Sequence, residues 1–232
     1  GLKRLFLDRE PVQAGDGYYA TDAFSDWAVK FLEEHAKEHS KQPFFLHLCY
    51  TAPHFPLHAK PEDIAKYRGK YRAGWDALRI ARFKRQQKLG LFPKGTKLSA
   101  RDSVAEAWAK VSEKEKDEWD LRMAVHAAMI DCMDQGIGRV MQKVQRMGAW
   151  DNTLFLFLSD NGASAEALDT WPNPSRGHKP GSVTGTRESH RCIEVGWSNA
   201  SNTPFREHKM WVHEGGSATP LIAHWPKGIR AR

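Results

Sequence analysis

Three short apolar runs, residues 44–50, 153–158 and 220–225, most constrain what this sequence can fold into. The first reads Phe-Phe-Leu-His-Leu-Cys-Tyr and the second Thr-Leu-Phe-Leu-Phe-Leu. Runs of that length and apolarity are what strands of a parallel sheet covered on both faces look like. Two long stretches of helical period lie between them. From Asp22 to His39, the side chains of Phe24, Trp27, Ala28, Phe31, Leu32 and His35 share one face, with Thr21 or Asp22 as the candidate cap. From Ser112 onward, apolar residues recur every three or four positions, through Trp119, Val125, Met129, Cys132, Met133, Ile137, Val140 and Val144. That helix ends before Gly148, a residue suited to the left-handed position after a helix. Gly136 and Gly138 inside it each cost about 1 kcal/mol relative to Ala, which points to close packing there. Strands alternating with long helices predict an α/β fold, a mostly parallel sheet flanked by helices.

The chain has 232 residues, enough for one substantial core. No apolar run approaches the roughly 18 residues that a membrane span requires, so no membrane partner is expected. The amino-terminal Gly-Leu-Lys-Arg-Leu-Phe is too short and too quickly charged for a signal peptide. Cys49, Cys132 and Cys192 show no metal-ligand spacing, and the apolar patterns around Cys49 and Cys132 predict two buried thiols.

The net charge of +7 is concentrated in one place, because residues 60–117 hold 16 Lys and Arg against 8 Asp and Glu. Trp75, Leu78, Phe83, Leu89 and Leu91 interleave with these charges. That pattern reads as a helical insertion, in two pieces broken near Gly69 to Gly74, with one buried face and one solvated basic face. The other reading is a surface for an anionic polymer; nucleic acid is not expected. Residues 163–202 are rich in Gly, Pro, Ser and Asn and read as a long loop, of the kind that is more often functional.

In open α/β sheets, ligands collect beyond the carboxyl ends of the strands. After the first run stands His54, between Pro53 and Pro56 in Thr-Ala-Pro-His-Phe-Pro; His58 is a weaker candidate nearby. After the second stand Asp160 and Asn161, whose adjacent oxygens suit a hard cation such as Ca²⁺ or Mg²⁺. Ser-Asp-Asn-Gly is equally a plain turn, and a lone His is commonly a surface or packed residue. Lys209, in Arg-Glu-His-Lys-Met-Trp-Val-His-Glu-Gly-Gly, could clamp an anion or simply be solvated. Gly215-Gly216 lacks the spacing of a phosphate loop.

Four segments in order resemble the type I sulfatases, of the alkaline-phosphatase superfamily. They are residues 44–57 with Thr-Ala-Pro-His, 128–140 with Asp-Cys-Met-Asp-Gln-Gly-Ile-Gly, 158–163 with Ser-Asp-Asn-Gly, and 202–222 with Lys209 and Glu-Gly-Gly. The resemblance implies an alkaline-phosphatase-like, truncated α/β fold, residues 1–232 forming part of a catalytic domain with the basic insertion at about 60–117. It implies sulfuric ester hydrolysis, with a sulfate ester as partner. Asp160 and Asn161 then resemble the second pair of metal ligands, for Ca²⁺ ahead of Mg²⁺. His54 resembles the histidine near the leaving oxygen, and Lys209 the lysine that binds sulfate. A periplasmic or secreted location is also implied.

The family's modification motif, Cys or Ser followed by x-Pro-x-Arg, does not occur in this sequence. The resemblance therefore implies a formylglycine nucleophile and a first Asp-Asp metal pair upstream, and an internal fragment that is inactive by itself, with a weak cation site in which Asp160 turns to a local hydrogen-bond partner. Phosphodiesterases and phosphonate hydrolases of the superfamily share the Asp-Asn-Gly strand end. A non-catalytic fragment that binds sulfated polymers is the third reading.

Overall fold

The computed structural model describes residues 5–167 and 179–230. A hairpin of β1 (Leu5–Leu7) and β2 (Glu10–Val12) opens it, followed by α1 (Ala20–Glu38). The basic segment contains α2 (Pro61–Ala65) and α3 (Gly74–Lys88), and α4 (Glu113–Arg146) follows. Then come β3 (Phe155–Leu158), α5 (Glu194–Ser201), the single turn α6 (Glu214–Ser217) and β4 (Leu221–His224).

The long helix α4 organises everything else. Ser112 caps it through a capping box in which the Glu115 N–H donates to Ser112 Oγ and the Ser112 N–H donates to the Glu115 carboxylate. It ends at Gly148, which takes φ +69°. At 1.5 Å per residue, 34 residues span about 51 Å, long enough to join two separate cores. Its carboxyl half, through Val140 and Val144, packs against Ala28 and Leu32 of α1 and against Phe44, Leu46, Leu48 and Phe155. Its amino half, through Met123, Val125 and Met129, packs against Leu57, Trp75, Trp108, Ile193 and Trp197.

At the α1–α4 seam, a Cβ on Gly136 would run into Ser25, so this glycine does mark close packing. Gly138 has nothing near its virtual Cβ and does not. The buried stripe of α1 is Thr21, Ser25, Ala28 and Leu32, while Phe31 is exposed. Neither Thr21 nor Asp22 caps that helix; Tyr19 stands at the cap position, without a side-chain bond.

The basic segment docks through tryptophans. Trp75 stands edge-on to Trp108, Trp119 and Trp197, with centroids 4.6, 5.6 and 5.4 Å away, the geometry aromatic quadrupoles favour. Half of its basic side chains face inward or pair locally. Asp120, fully buried, accepts from Arg68 and from the Gly69 and Tyr71 N–H groups. Arg72 pairs with Asp117 at 2.7 Å, Lys66 with Asp63 and Asp131, and Arg101 with Asp76. Lys84, Arg85, Lys88, Lys94 and Lys97 stay exposed, so a solvated basic face remains on this segment.

The sheet differs from expectation. Among the described residues, β3 pairs β4 antiparallel, with Phe155 opposite His224 and Leu158 opposite Leu221, and no large parallel sheet forms. Residues 44–50 form no ladder. Their side chains alternate instead: Phe44, Leu46, Leu48 and Tyr50 are partly buried, while Phe45, His47 and Cys49 are exposed. One covered face, rather than two, leaves the Cys49 thiol exposed; Cys132 and Cys192 are buried. The stretch expected as a 163–202 loop contains the helix α5, and its residues 168–178 lie outside the described residues.

Candidate active site

His54 follows the first apolar run in a tight turn, its N–H donating to the Thr51 carbonyl at 3.0 Å. Its Nδ1 lies 2.7 Å from the Phe55 carbonyl. A carbonyl only accepts, so Nδ1 carries the ring proton and Nε2 presents a lone pair. That lone pair faces the ammonium of Lys209, with Nε2 and Nζ 3.0 Å apart. Two residues separated by 155 positions therefore meet through their functional atoms.

The Lys209 turn is strapped to the loop that follows β3. The Lys209 N–H donates to the Ala163 carbonyl at 3.1 Å, and the Gly162 N–H to the Gly216 carbonyl at 2.9 Å. Asn202 bridges the two sides: its Oδ1 accepts from the Ala163 N–H at 2.8 Å and its Nδ2 donates to the Glu207 carbonyl at 3.0 Å. The glycines make this approach possible. A Cβ on Gly215 would strike the Arg206 and Glu207 carbonyls, and one on Gly216 the Trp211 carbonyl. The Glu-Gly-Gly turn is thus a close backbone contact and not an anion cradle.

Asp160 and Asn161 sit just before this junction. The Asn161 Nδ2 donates to the Gly162 carbonyl at 2.9 Å, and its Oδ1 has no partner among the described residues. The exposed Asp160 carboxylate makes no hydrogen bond or ion pair among the described residues, so it does not turn to a local donor as expected. One free carboxylate beside one free amide oxygen is a donor set suited to a hard divalent cation, and it fills only part of a six- to eight-oxygen shell. His54, Asp160, Asn161 and Lys209 all line one open cleft of about 3540 Å³. That exceeds a small-molecule pocket of roughly 300–1,000 Å³, so the cleft is an open side of the fold with these residues on its walls. Its apolar walls include Leu156, Leu158, Leu221 and Ile222, all exposed.

His58 is engaged elsewhere. Its Nε2 lies 2.6 Å from the Ser189 carbonyl, and burial pushes its pKa below the usual imidazole value. With the Leu57 N–H donating to the Arg191 carbonyl at 3.0 Å, it pins the segment before α5.

Sequence reasoning missed Asn202, and also a group beneath Lys209. Ligand atoms of Asp102, Glu207 and His208 lie within 4.8 Å of one another. The His208 ring nitrogens contact Ser198 Oγ at 2.9 Å and Asp102 Oδ2 at 3.0 Å. The one available signal was a histidine next to the candidate lysine; the 106 positions between Asp102 and His208 hide their pairing.

Strand-end polar residues and a long helix thus meet in a chain of helices and small sheets. In fold it is similar to the crystal structure of yidJ from Bacteroides fragilis, with TM-score 0.53 and 18% identity over 92% of this chain and 32% of that one. Ps i-CgsB is similar too, with TM-score 0.50 and 24% identity over 94% and 30%. The family model described as Sulfatase matches residues 3–232, and the chain belongs to that family. It is 33% identical over 220 residues to an uncharacterized sulfatase of Schizosaccharomyces pombe, covering 92% of this chain and 39% of that protein. It is 30% identical over 233 residues to an arylsulfatase of Klebsiella aerogenes, covering 94% and 47%. The chain thus spans less than half the length of these relatives.

Proposed function

We propose that this chain contributes the sulfate-facing wall of a sulfuric ester hydrolase site and part of its cation site. The contact between Lys209 Nζ and His54 Nε2, 3.0 Å, carries the reading. An ammonium and an imidazole at that separation can address one small anionic ester from adjacent directions, the imidazole as a donor once Nε2 is protonated. In this reading Lys209 holds a sulfate oxygen as a point charge, and its strength grows where water is displaced. His54, once protonated on Nε2, donates to the bridging oxygen and gives that proton to the departing alkoxide. Its Nδ1–H bond to Phe55 fixes the ring so that Nε2 faces the ester. Asp160 and Asn161 would hold a divalent cation, Ca²⁺ ahead of Mg²⁺, with further oxygens from elsewhere. A bound cation supplies Lewis-acid stabilisation of charge on the sulfate oxygens.

The attacking oxygen is assigned to none of these residues. Cys49, Cys132 and Cys192 all lack a proline two positions on, and two of the three thiols are buried. Family membership and the arylsulfatase relative support sulfate over phosphate esters. A multifunctional alkaline phosphatase superfamily protein of Trinickia caryophylli, 30% identical over 60% of this chain, keeps the phosphate ester reading worth testing.

The test is steady-state hydrolysis of 4-nitrophenyl sulfate and bis(4-nitrophenyl) phosphate by the full-length gene product, with and without Ca²⁺. Sulfate ester turnover that is lost in Lys209→Ala, by about a hundredfold or more, supports the reading. Preferential turnover of the phosphate diester, or full sulfatase activity in Lys209→Ala, overturns it.

A further inference from the structure

Beneath Lys209 lies a buried polar relay that the proposed chemistry does not use. His208 is 6% exposed. Its Nδ1 is 2.9 Å from Ser198 Oγ, and its Nε2 is 3.0 Å from Asp102 Oδ2. Ser198 Oγ also donates to the Ala163 carbonyl at 2.9 Å, the same oxygen that accepts the Lys209 N–H. A hydroxyl has one proton, and a carbonyl can only accept. With Ser198 donating to Ala163, His208 Nδ1 must donate to Ser198, while Nε2 donates to the Asp102 carboxylate. All three contacts are satisfied only when both ring nitrogens act as donors. Both ring nitrogens are engaged within the fold, and the grouping with Glu207 is read as a clamp.

Asp102 belongs to the basic segment. Its backbone N–H donates to Asn199 Oδ1 at 3.3 Å, and its Oδ1 accepts from the Val104 N–H at 2.8 Å, so both the backbone and the carboxylate of Asp102 are held. The same segment grips the chain leading to Lys209 at three further points. The Ser99 N–H donates to the Pro204 carbonyl at 3.1 Å, Gln86 Nε2 to the Thr203 carbonyl at 2.9 Å, and Arg82 Nη1 to the Ser201 carbonyl at 3.1 Å. Glu207, between these grips and Lys209, takes φ +68°, a conformation that a non-glycine residue adopts only when its surroundings hold it.

We propose that Asp102 and His208 are positioning residues for Lys209. The basic segment reaches under the Lys209 turn through Asp102 and, through His208 and Ser198, sets where the ammonium stands relative to His54. The proposal rests on Lys209 being the sulfate-binding lysine. It gives the 60–117 segment a task in catalysis other than attracting a polymer.

A double-mutant cycle in the full-length gene product tests it, with 4-nitrophenyl sulfate turnover and calorimetric binding of inorganic sulfate as readouts. A misplacement of about 1 Å can cost on the order of a hundredfold, so Asp102→Ala should lower kcat/KM by about ten- to a hundredfold. In a Lys209→Ala background the same substitution should cost less than about threefold, because a residue acting through Lys209 has nothing left to position. Asp102→Asn, which preserves shape and can still accept a hydrogen bond, should recover part of the loss, and it carries the cycle should Asp102→Ala not fold. Equal losses in both backgrounds, or no loss in either, overturn the proposal and leave the reading of Lys209 standing. A Lys209→Ala enzyme unchanged in both turnover and sulfate binding brings down that reading instead.

Discussion

A Cβ placed on Gly162 would fall on the carbonyl oxygen of Gly215, so the loop after β3 and the Glu-Gly-Gly turn meet backbone to backbone. That contact brings the Asp160–Asn161 pair and the Lys209 turn to one junction. Gly162→Ala must push the two apart. Overpacking of this kind costs about 1–3 kcal/mol, and a protein of this size loses about 2–4 °C in Tm per kcal/mol. A fall of several degrees by calorimetry, with a larger fractional loss of sulfate ester turnover, is the expected result. An unchanged Tm would show that the two backbones are not held together.

His54 faces the departing oxygen in the proposed chemistry, and its removal should hurt most where that oxygen leaves with difficulty. General acid assistance is worth roughly 10²–10⁴-fold. Across aryl sulfates of rising leaving-group pKa, His54→Ala should lose progressively more kcat, and the wild-type enzyme should show the shallower dependence. Parallel lines for the two enzymes would assign His54 to binding alone.

The long helices were legible because a 3.6-residue apolar period survives in any context, and β3 was legible as an unbroken apolar run. Strand pairing was not. Period tells that residues 221–224 form a strand, but carries nothing on whether β4 runs parallel or antiparallel to β3. Residues 44–50 read as covered on both sides because Phe45 and Cys49 are apolar, yet both face outward. The β1–β2 hairpin was missed, with strands of only three residues each. Helix α5 was missed for a different reason. Gly196, Ser198 and Asn199 look like loop composition, but Gly196 makes room for the Trp75 ring and the two polar residues are themselves buried and hydrogen-bonded. At the site, His54 and Lys209 stand out through the ordered family resemblance, since each local motif alone reads equally as a surface residue. The Asp102–His208 contact depends on how the basic segment folds back, which no local pattern encodes.

The two glycines of α4 should answer oppositely to the same substitution. Gly138 has an open surround and ordinary helical φ, so Gly138→Ala should stabilise by up to about 1 kcal/mol through helix propensity. Gly136→Ala gains the same propensity but drives a methyl into Ser25, near the Tyr50 hydroxyl. That serine donates to the Thr21 carbonyl at 2.9 Å and accepts from the Tyr50 hydroxyl at 2.8 Å, so it cannot easily move. Net destabilisation of about 1–3 kcal/mol is expected, read as opposite shifts in urea midpoint with unchanged m-values. Shifts of the same sign would remove the close α1–α4 contact from the account.

His126, on α4, gives the fold a defined acid limit. Burial, with the Arg82 guanidinium adding to it, lowers its pKa to about 4, and its Nδ1 is buried without a hydrogen-bond partner among the described residues. An unfolded chain restores a value of about 6.5. Between these two values the unfolded state binds the extra proton, so stability rises with pH across the window. The contribution is complete above about 6.5 and is lost progressively as pH falls toward 4. At about 1.4 kcal/mol per pH unit of difference, the loss reaches a few kcal/mol. Denaturant unfolding of the wild type should therefore weaken steadily from pH 7 to pH 4. His126→Gln, which carries no titrating group, should flatten that slope while leaving the protein folded at pH 7. If the variant lost stability with acid as steeply as the wild type, the acid limit would have to lie with other groups.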